Sequence, residues 1–136
     1  MYEKAFKLQI VTPQRVVFQG EATSLGAPGV QGGFQVLYNH APLLSSLDIG
    51  ELRVKGADGH DTIYATSGGF VEVKDNAVVV LAETAEATGE IDVSRAKEAE
   101  KRATERLHSR SDEVDVERAR LAMMRALNRL RVASRA

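Results

Sequence analysis

Ile91-Asp92-Val93-Ser94-Arg95-Ala96 and Val114-Asp115-Val116-Glu117-Arg118-Ala119 nearly repeat each other, and each opens an Arg/Ala-rich segment. Aspartate before a run of good helix formers is an N-cap signal, so Asp92 and Asp115 mark two helix starts. The stretch His108-Ser109-Arg110-Ser111-Asp112 is short enough to join the helices as an antiparallel hairpin. At about 100° per residue, Ala96, Ala99, Ala103 and Leu107 share one face of the first helix. Ala119, Ala122, Met123, Ala126, Leu130 and Ala133 share one face of the second. Alanine-lined faces let helices pack near the short end of the roughly 8–10 Å interaxial range.

Upstream of the hairpin the pattern is that of a β protein. Phe6 to Ile10 alternates apolar and polar residues, and Arg15 to Gln19 follows the break at Thr12-Pro13. Glu51 to Lys55 and Thr62 to Thr66 flank the turn Gly56-Ala57-Asp58-Gly59. Gly69 to Val73 and Ala77 to Leu81 flank Lys74-Asp75-Asn76, a hairpin signal. Many short strands without intervening helices predict a sandwich or barrel. The glycine-rich stretches, Gly26 to Gly33 and Gly56 to Gly59, read as the main loops. The expected fold is therefore α+β, an N-terminal β-sandwich over 1–86 and a C-terminal antiparallel two-helix hairpin over 87–136.

Composition agrees with a folded soluble chain: 43% of the 136 residues are hydrophobic and 27% charged. The longest apolar run, Ala77 to Ala82, is too short to cross a bilayer, and the N-terminus lacks a signal-peptide layout. With no cysteine, disulfides, thiol catalysis and Cys-based zinc sites are excluded, in keeping with a reducing compartment. The net charge of −1 conceals an asymmetry. Residues 1–90 carry 6 Lys/Arg against 11 Asp/Glu, a balance of −5, whereas 91–136 carry 12 against 8, a balance of +4. Opposite balances suggest two modules with different partners.

The positive charge is ordered. Arg95, Arg102 and Arg106 lie in a line beside the first alanine face; Arg118, Arg125 and Arg129 lie beside the second, with the same i, i+7, i+11 spacing. A closed hairpin can bring several of these guanidinium groups to its seam. They admit three readings: a solvated face, a cradle for a small polyanion such as a nucleotide, or a contact with acidic groups of a partner. Nucleic acid is disfavoured, because no aromatic residue lies in the tail. No phosphate-loop or dinucleotide motif occurs, His40, His60 and His108 lack metal-ligand spacing, and Ser67 is not in a nucleophile elbow. A bound anion is therefore expected to be held rather than hydrolysed, without a required metal.

Asn39-His40-Ala41-Pro42-Leu43-Leu44, Ser67-Gly68-Gly69-Phe70-Val71-Glu72-Val73 and Ile91-Asp92-Val93-Ser94-Arg95-Ala96 resemble, in order and spacing, three motifs of the epsilon subunit of bacterial F-type ATP synthases. Ala126-Leu127-Asn128-Arg129-Leu130 is similar to its second helix. The resemblance spans essentially the whole chain. It implies a noncatalytic central-stalk subunit at the cytoplasmic face of the bacterial plasma membrane. Its sandwich would bind the gamma subunit and the c-ring, and its hairpin, when extended, would reach the alpha and beta subunits and restrain ATP hydrolysis.

Some members of that family bind ATP with the hairpin folded. The matching positions here are Glu86, Asp92, Arg95, Arg102, Arg125 and Arg129, with the arginines suited to phosphate and the acids to adenosine or to orienting arginines. Asp92 can equally be a helix cap and Glu86 an ordinary linker carboxylate. The alternative implied role is a purely structural stalk subunit without nucleotide sensing. The chain departs from the family at Gly33 and at Tyr38-Asn39, where an acid and a Pro-Gly pair are replaced, so detailed c-ring contacts of that rim do not carry over.

Overall fold

A computed structural model describes residues 4–109 and 115–135. Nine strands precede two helices: β1 Phe6–Val11, β2 Val16–Gly29, β3 Gly32–Val36, β4 Leu43–Leu47, β5 Gly50–Gly56, β6 Asp61–Thr66, β7 Gly69–Lys74, β8 Ala77–Ala82 and β9 Ala85–Ala87. A single 3-10 turn, Thr88–Glu90, leads to α1 Val93–His108, and α2 Val116–Ala133 follows. The expected order of sandwich and hairpin is thus observed. Of the expected connection His108 to Asp112, the residues from Arg110 onward lie outside the described ones.

The strands follow the path β1-β8-β7-β4-β2-β5-β6-β9, with β3 attached to β2 and β1 pairing back onto β2. The long strand β2 makes this closure possible. Its first part pairs with β1, as far as Phe6 opposite Ala22, and its second part pairs with β5 and β3. Between Ala22 and Ser24 the register shifts, and Ala22 and Thr23 are both buried in succession. One extra residue flips the inward-facing set, so a single strand serves both layers.

Phe6, Leu8, Ile10, Leu25, Val36, Leu52, Val71 and Val80 fill the space between layers, each at most 2% exposed. Each such side chain contributes about 1.5–3 kcal/mol of burial. The β7–β8 hairpin turns on Asp75 and Asn76, both with left-handed φ (52° and 57°), as a two-residue primed turn requires. Asn76 also binds two distant segments, donating from Nδ2 to the Ala5 carbonyl and accepting at Oδ1 from the Asn39 amide.

The stretch Gly26 to Gly33 corrects the sequence reading. It is not a loop but the end of β2 and the start of β3, with only Val30-Gln31 between the paired Gly29 and Gly32. Gly29 serves close packing there: a Cβ on it would lie 2.7 Å from the Gly32 carbonyl and 3.0 Å from the Phe34 ring. β4 and the three-residue β9 were not foreseen as strands either. β9 continues to Ala87, pairing with β6.

Both helix caps form as the near-repeat predicts. Asp92 Oδ1 accepts from the Arg95 amide at 3.0 Å, and Asp115 Oδ1 accepts from the Arg118 amide at 3.1 Å. Ala96, Ala103, Ala119 and Ala126 are buried along the hairpin. A second face of α2, absent from the sequence reading, docks on the sandwich. Val132 joins Ala65 and Ile91 in a small apolar cluster, and Asn128 Nδ2 donates to the Gly50 carbonyl at 2.8 Å. The hairpin is therefore folded against the sheet rather than extended. No helix among the described residues is long and apolar enough to cross a membrane.

Candidate functional site

Where α1 leaves the sandwich, its first turns overhang β9 and the β1–β2 turn. A cleft of about 610 Å³ opens there. β9 supplies Ala85 and Glu86; the start of α1 supplies Asp92, Arg95, Ala96, Ala99 and Arg102; α2 supplies Arg129. Five of the six residues expected from the resemblance thus share one cleft. The sixth, Arg125, lines an adjoining crevice that shares Thr84 and Arg129 with it.

Helical spacing explains this convergence. Arg95 and Arg102 are two turns apart on α1, and Arg125 and Arg129 one turn apart on α2. The alanine seam brings the two helices close enough for both rows to face one hollow. Arg106 and Arg118 continue the rows but do not line the cleft; Arg95 and Arg102, which do, are solvent-exposed as well.

The carboxylates are already engaged. Glu86 Oε1 accepts from Arg129 Nε at 2.6 Å, a pair in which each side chain is about a third exposed (32%). Such a pair is partly screened by water, and its contribution is about 1 kcal/mol or less. Asp92 caps α1. Glu90 accepts from Arg15 at 2.8 Å. Beneath that pair lies Tyr64, whose phenol is pushed up first by burial and next by the charge of Glu90, with Arg15 opposing. Arg95, Arg102 and Arg125 make no ion pair among the described residues.

The cleft therefore holds four arginines against three carboxylates, with Arg125 beside it. Two cleft guanidinium groups, Arg95 in the first turn of α1 and Arg102 two turns on, have no carboxylate partner among the described residues. Phosphate and carboxylate ligands suit this arrangement, because guanidinium forks donate paired hydrogen bonds to them. Thr12, Gln14, Arg15, Thr84 and Glu90 also line the cleft and were missed in the sequence. They come from strand ends and turns, where no periodic signal distinguishes a lining residue from a solvated one.

Comparison with known proteins agrees with this architecture. Residues 5–88 match the family model of the ATP synthase delta/epsilon chain β-sandwich domain, and residues 90–134 match that of its long α-helix domain. The ATP synthase epsilon chain of Syntrophomonas wolfei is 49% identical over 112 residues, 82% of each chain. That of Pelotomaculum thermopropionicum is 50% identical over 107 residues, 79% of each. In fold, the chain is similar to one in the mitochondrial ATP synthase of Euglena gracilis, with a TM-score of 0.78, 22% identity, and coverage of 91% of this chain and 78% of that one. Two family models covering nearly the whole chain, and about half of the aligned residues identical in two relatives, show that it belongs to the ATP synthase epsilon-chain family.

Proposed function

We propose that this stalk subunit, which is not the catalytic one, uses its hairpin as an ATP-sensitive regulatory element. ATP binds the folded hairpin and is not hydrolysed there. The sandwich contacts the gamma subunit and the c-ring at the cytoplasmic face of the bacterial plasma membrane. The undocked hairpin extends toward the alpha and beta subunits and restrains hydrolysis.

One observation carries the ATP reading: Arg95, Arg102 and Arg129 converge with Glu86 and Asp92 in a cleft lined by both the docked hairpin and the sandwich. A ligand favours a conformation only by binding it more tightly than the alternative. A site built from both modules meets that condition. At a concentration 100 times its dissociation constant, ATP would stabilise the docked state by about 2.7 kcal/mol.

Calorimetric titration of the isolated chain with ATP tests this. The parent is expected to bind, and Arg95→Ala and Arg125→Ala are each expected to bind about 10- to 100-fold more weakly, as for loss of a charged hydrogen bond. No heat from the parent, or unchanged binding in both variants, would overturn nucleotide sensing while leaving the stalk assignment intact.

A purely structural stalk role is the second reading. Glu86 and Asp92 support it, since each already has a task without any ligand, pairing with Arg129 and capping α1. It predicts salt-dependent association with acidic surfaces of gamma or beta and no nucleotide effect.

A further inference from the structure

One cation in the cleft does not belong to the hairpin. Arg15 sits in the turn between β1 and β2, and Thr12 fixes the backbone there. The Thr12 amide donates to the Arg15 carbonyl at 2.9 Å, and Thr12 Oγ1 accepts from the amides of Gln14 and Arg15. Thr12 itself is 9% exposed. The Arg15 side chain, by contrast, is half exposed, at 51%, and reaches across the mouth of the cleft to Glu90 on the 3-10 turn.

We propose that Arg15 is a further ligand of the nucleotide phosphates, supplied by the sandwich and released from Glu90 when the anion enters. The proposal rests on the nucleotide reading above. Its physical ground is where each cation is attached. Arg95, Arg102 and Arg129 all belong to α1 or α2. A phosphate held by those groups alone touches only the hairpin, so its contacts do not bridge the hairpin to the sheet. Arg15 stays behind with the sheet. Its contact with phosphate is lost on lifting, and it therefore adds directly to the difference in affinity between docked and undocked states. Glu86 also stays with the sheet, but a carboxylate does not attract phosphate.

The Arg15–Glu90 pair suits such an exchange. Both side chains are about half exposed, and pairs of that kind are weak enough to be replaced by a doubly donated phosphate contact. In the structure Glu90 holds Arg15 by this pair. With phosphate present the same fork has a more highly charged acceptor.

The test is a double-mutant cycle on the full chain, read by calorimetric titration with ATP: parent, Arg15→Gln, Glu90→Gln and the double variant. Arg15→Gln is expected to weaken binding about fivefold, the order of one exposed charge contact. Glu90→Gln is expected to tighten it by a similar factor, because Arg15 is freed. The double variant is expected to bind like Arg15→Gln, the gain having vanished with the arginine.

Unchanged affinity in Arg15→Gln would overturn the proposal. So would weakening in Glu90→Gln, which would make the pair a structural brace, or a gain from Glu90→Gln that survives in the double variant, which would make Glu90 merely repulsive. ATP binding that disappears in Arg95→Ala yet is indifferent to Arg15→Gln removes Arg15's role alone. Absence of binding in the parent removes the nucleotide reading and this proposal together.

Discussion

Asn128→Ala isolates the energy that keeps the hairpin on the sandwich. The side chain is 3% exposed. Its Nδ2 donates to the Gly50 carbonyl at 2.8 Å and, at a longer 3.4 Å, to the Thr66 carbonyl, while its buried Oδ1 accepts no hydrogen bond among the described residues. Truncation removes one good neutral hydrogen bond, about 1 kcal/mol net, and leaves buried strand carbonyls short of a donor, a further penalty of about 1–3 kcal/mol. Removing the orphaned Oδ1 returns roughly 1 kcal/mol. The balance is a loss of about 2 kcal/mol, or about 30-fold in the docking equilibrium. It falls on docking because the donor is on α2 and both acceptors are on the sandwich.

Native-state hydrogen exchange of the full chain, under conditions where exchange follows the opening equilibrium, reads this directly. Amides of α2 should exchange about 30-fold faster, and those of β7 and β8 should stay within about threefold of the parent. Unchanged protection in α2 would refute the assignment of Asn128 as the docking contact. Equal acceleration in β7 and β8 would refute the claim that its energy is local to the hairpin.

Two further outcomes follow from the sandwich. Gly69 has φ +137°, and a Cβ there would lie 2.0 Å from the Leu81 carbonyl oxygen, so Gly69→Ala should lower the denaturant midpoint by the equivalent of at least about 2 kcal/mol with an unchanged m-value; a parent-like midpoint would show that the strand relaxes freely. In the β5–β6 turn, hydrogen bonding and charge from Asp58 raise His60 above its ordinary 6.5, and hydrogen bonds from His60 hold Asp58 below 3.8. The His60 contribution is complete below the unfolded histidine value and is lost as pH rises through the raised one; that of Asp58 is present above 3.8 and is lost as pH falls through the lowered one. Proton NMR should find the His60 midpoint above 6.5 in the parent and back near it in Asp58→Asn, and equal midpoints would refute the pairing.

The helical half was more legible in the sequence than the β half, for identifiable reasons. A helix announces its start with a cap and its packing with a 3.6-residue period, so Asp92, Asp115 and both alanine faces were readable. The turn at Asp75-Asn76 was equally readable, because few residues accept successive left-handed φ values. The end of β2 was not: Gly26 and Gly29 lack the side chains on which an alternating pattern depends, and their strand is held by cross-strand hydrogen bonds. β9, at three residues, is too short to show a period. In the site, spacing alone aligned Arg95 with Arg102 and Arg125 with Arg129, and the family resemblance singled out Glu86 and Asp92. Arg15 and Glu90 stayed hidden, since they are 75 residues apart in sequence and only the closed fold brings them together. Asn128 was visible only as part of a motif, because a polar residue on an otherwise apolar helix does not disclose which carbonyls await it.

The asymmetric seating of the hairpin has a mechanical consequence. α2 bears on β5, β6 and the 3-10 turn, whereas α1 packs chiefly on α2. The first helix is thus cantilevered from the second, and the hollow beneath its free side is walled by charge instead of by interlocking apolar side chains. An anion lodged there would act as a keystone, filling the joint that the polypeptide leaves open. Because that joint is electrostatic, ionic strength would loosen the keyed arch, while the apolar seat at Val132 would be largely indifferent to salt. The subunit would then have two fastenings of different physical kind, one responsive to the solution around it and one not.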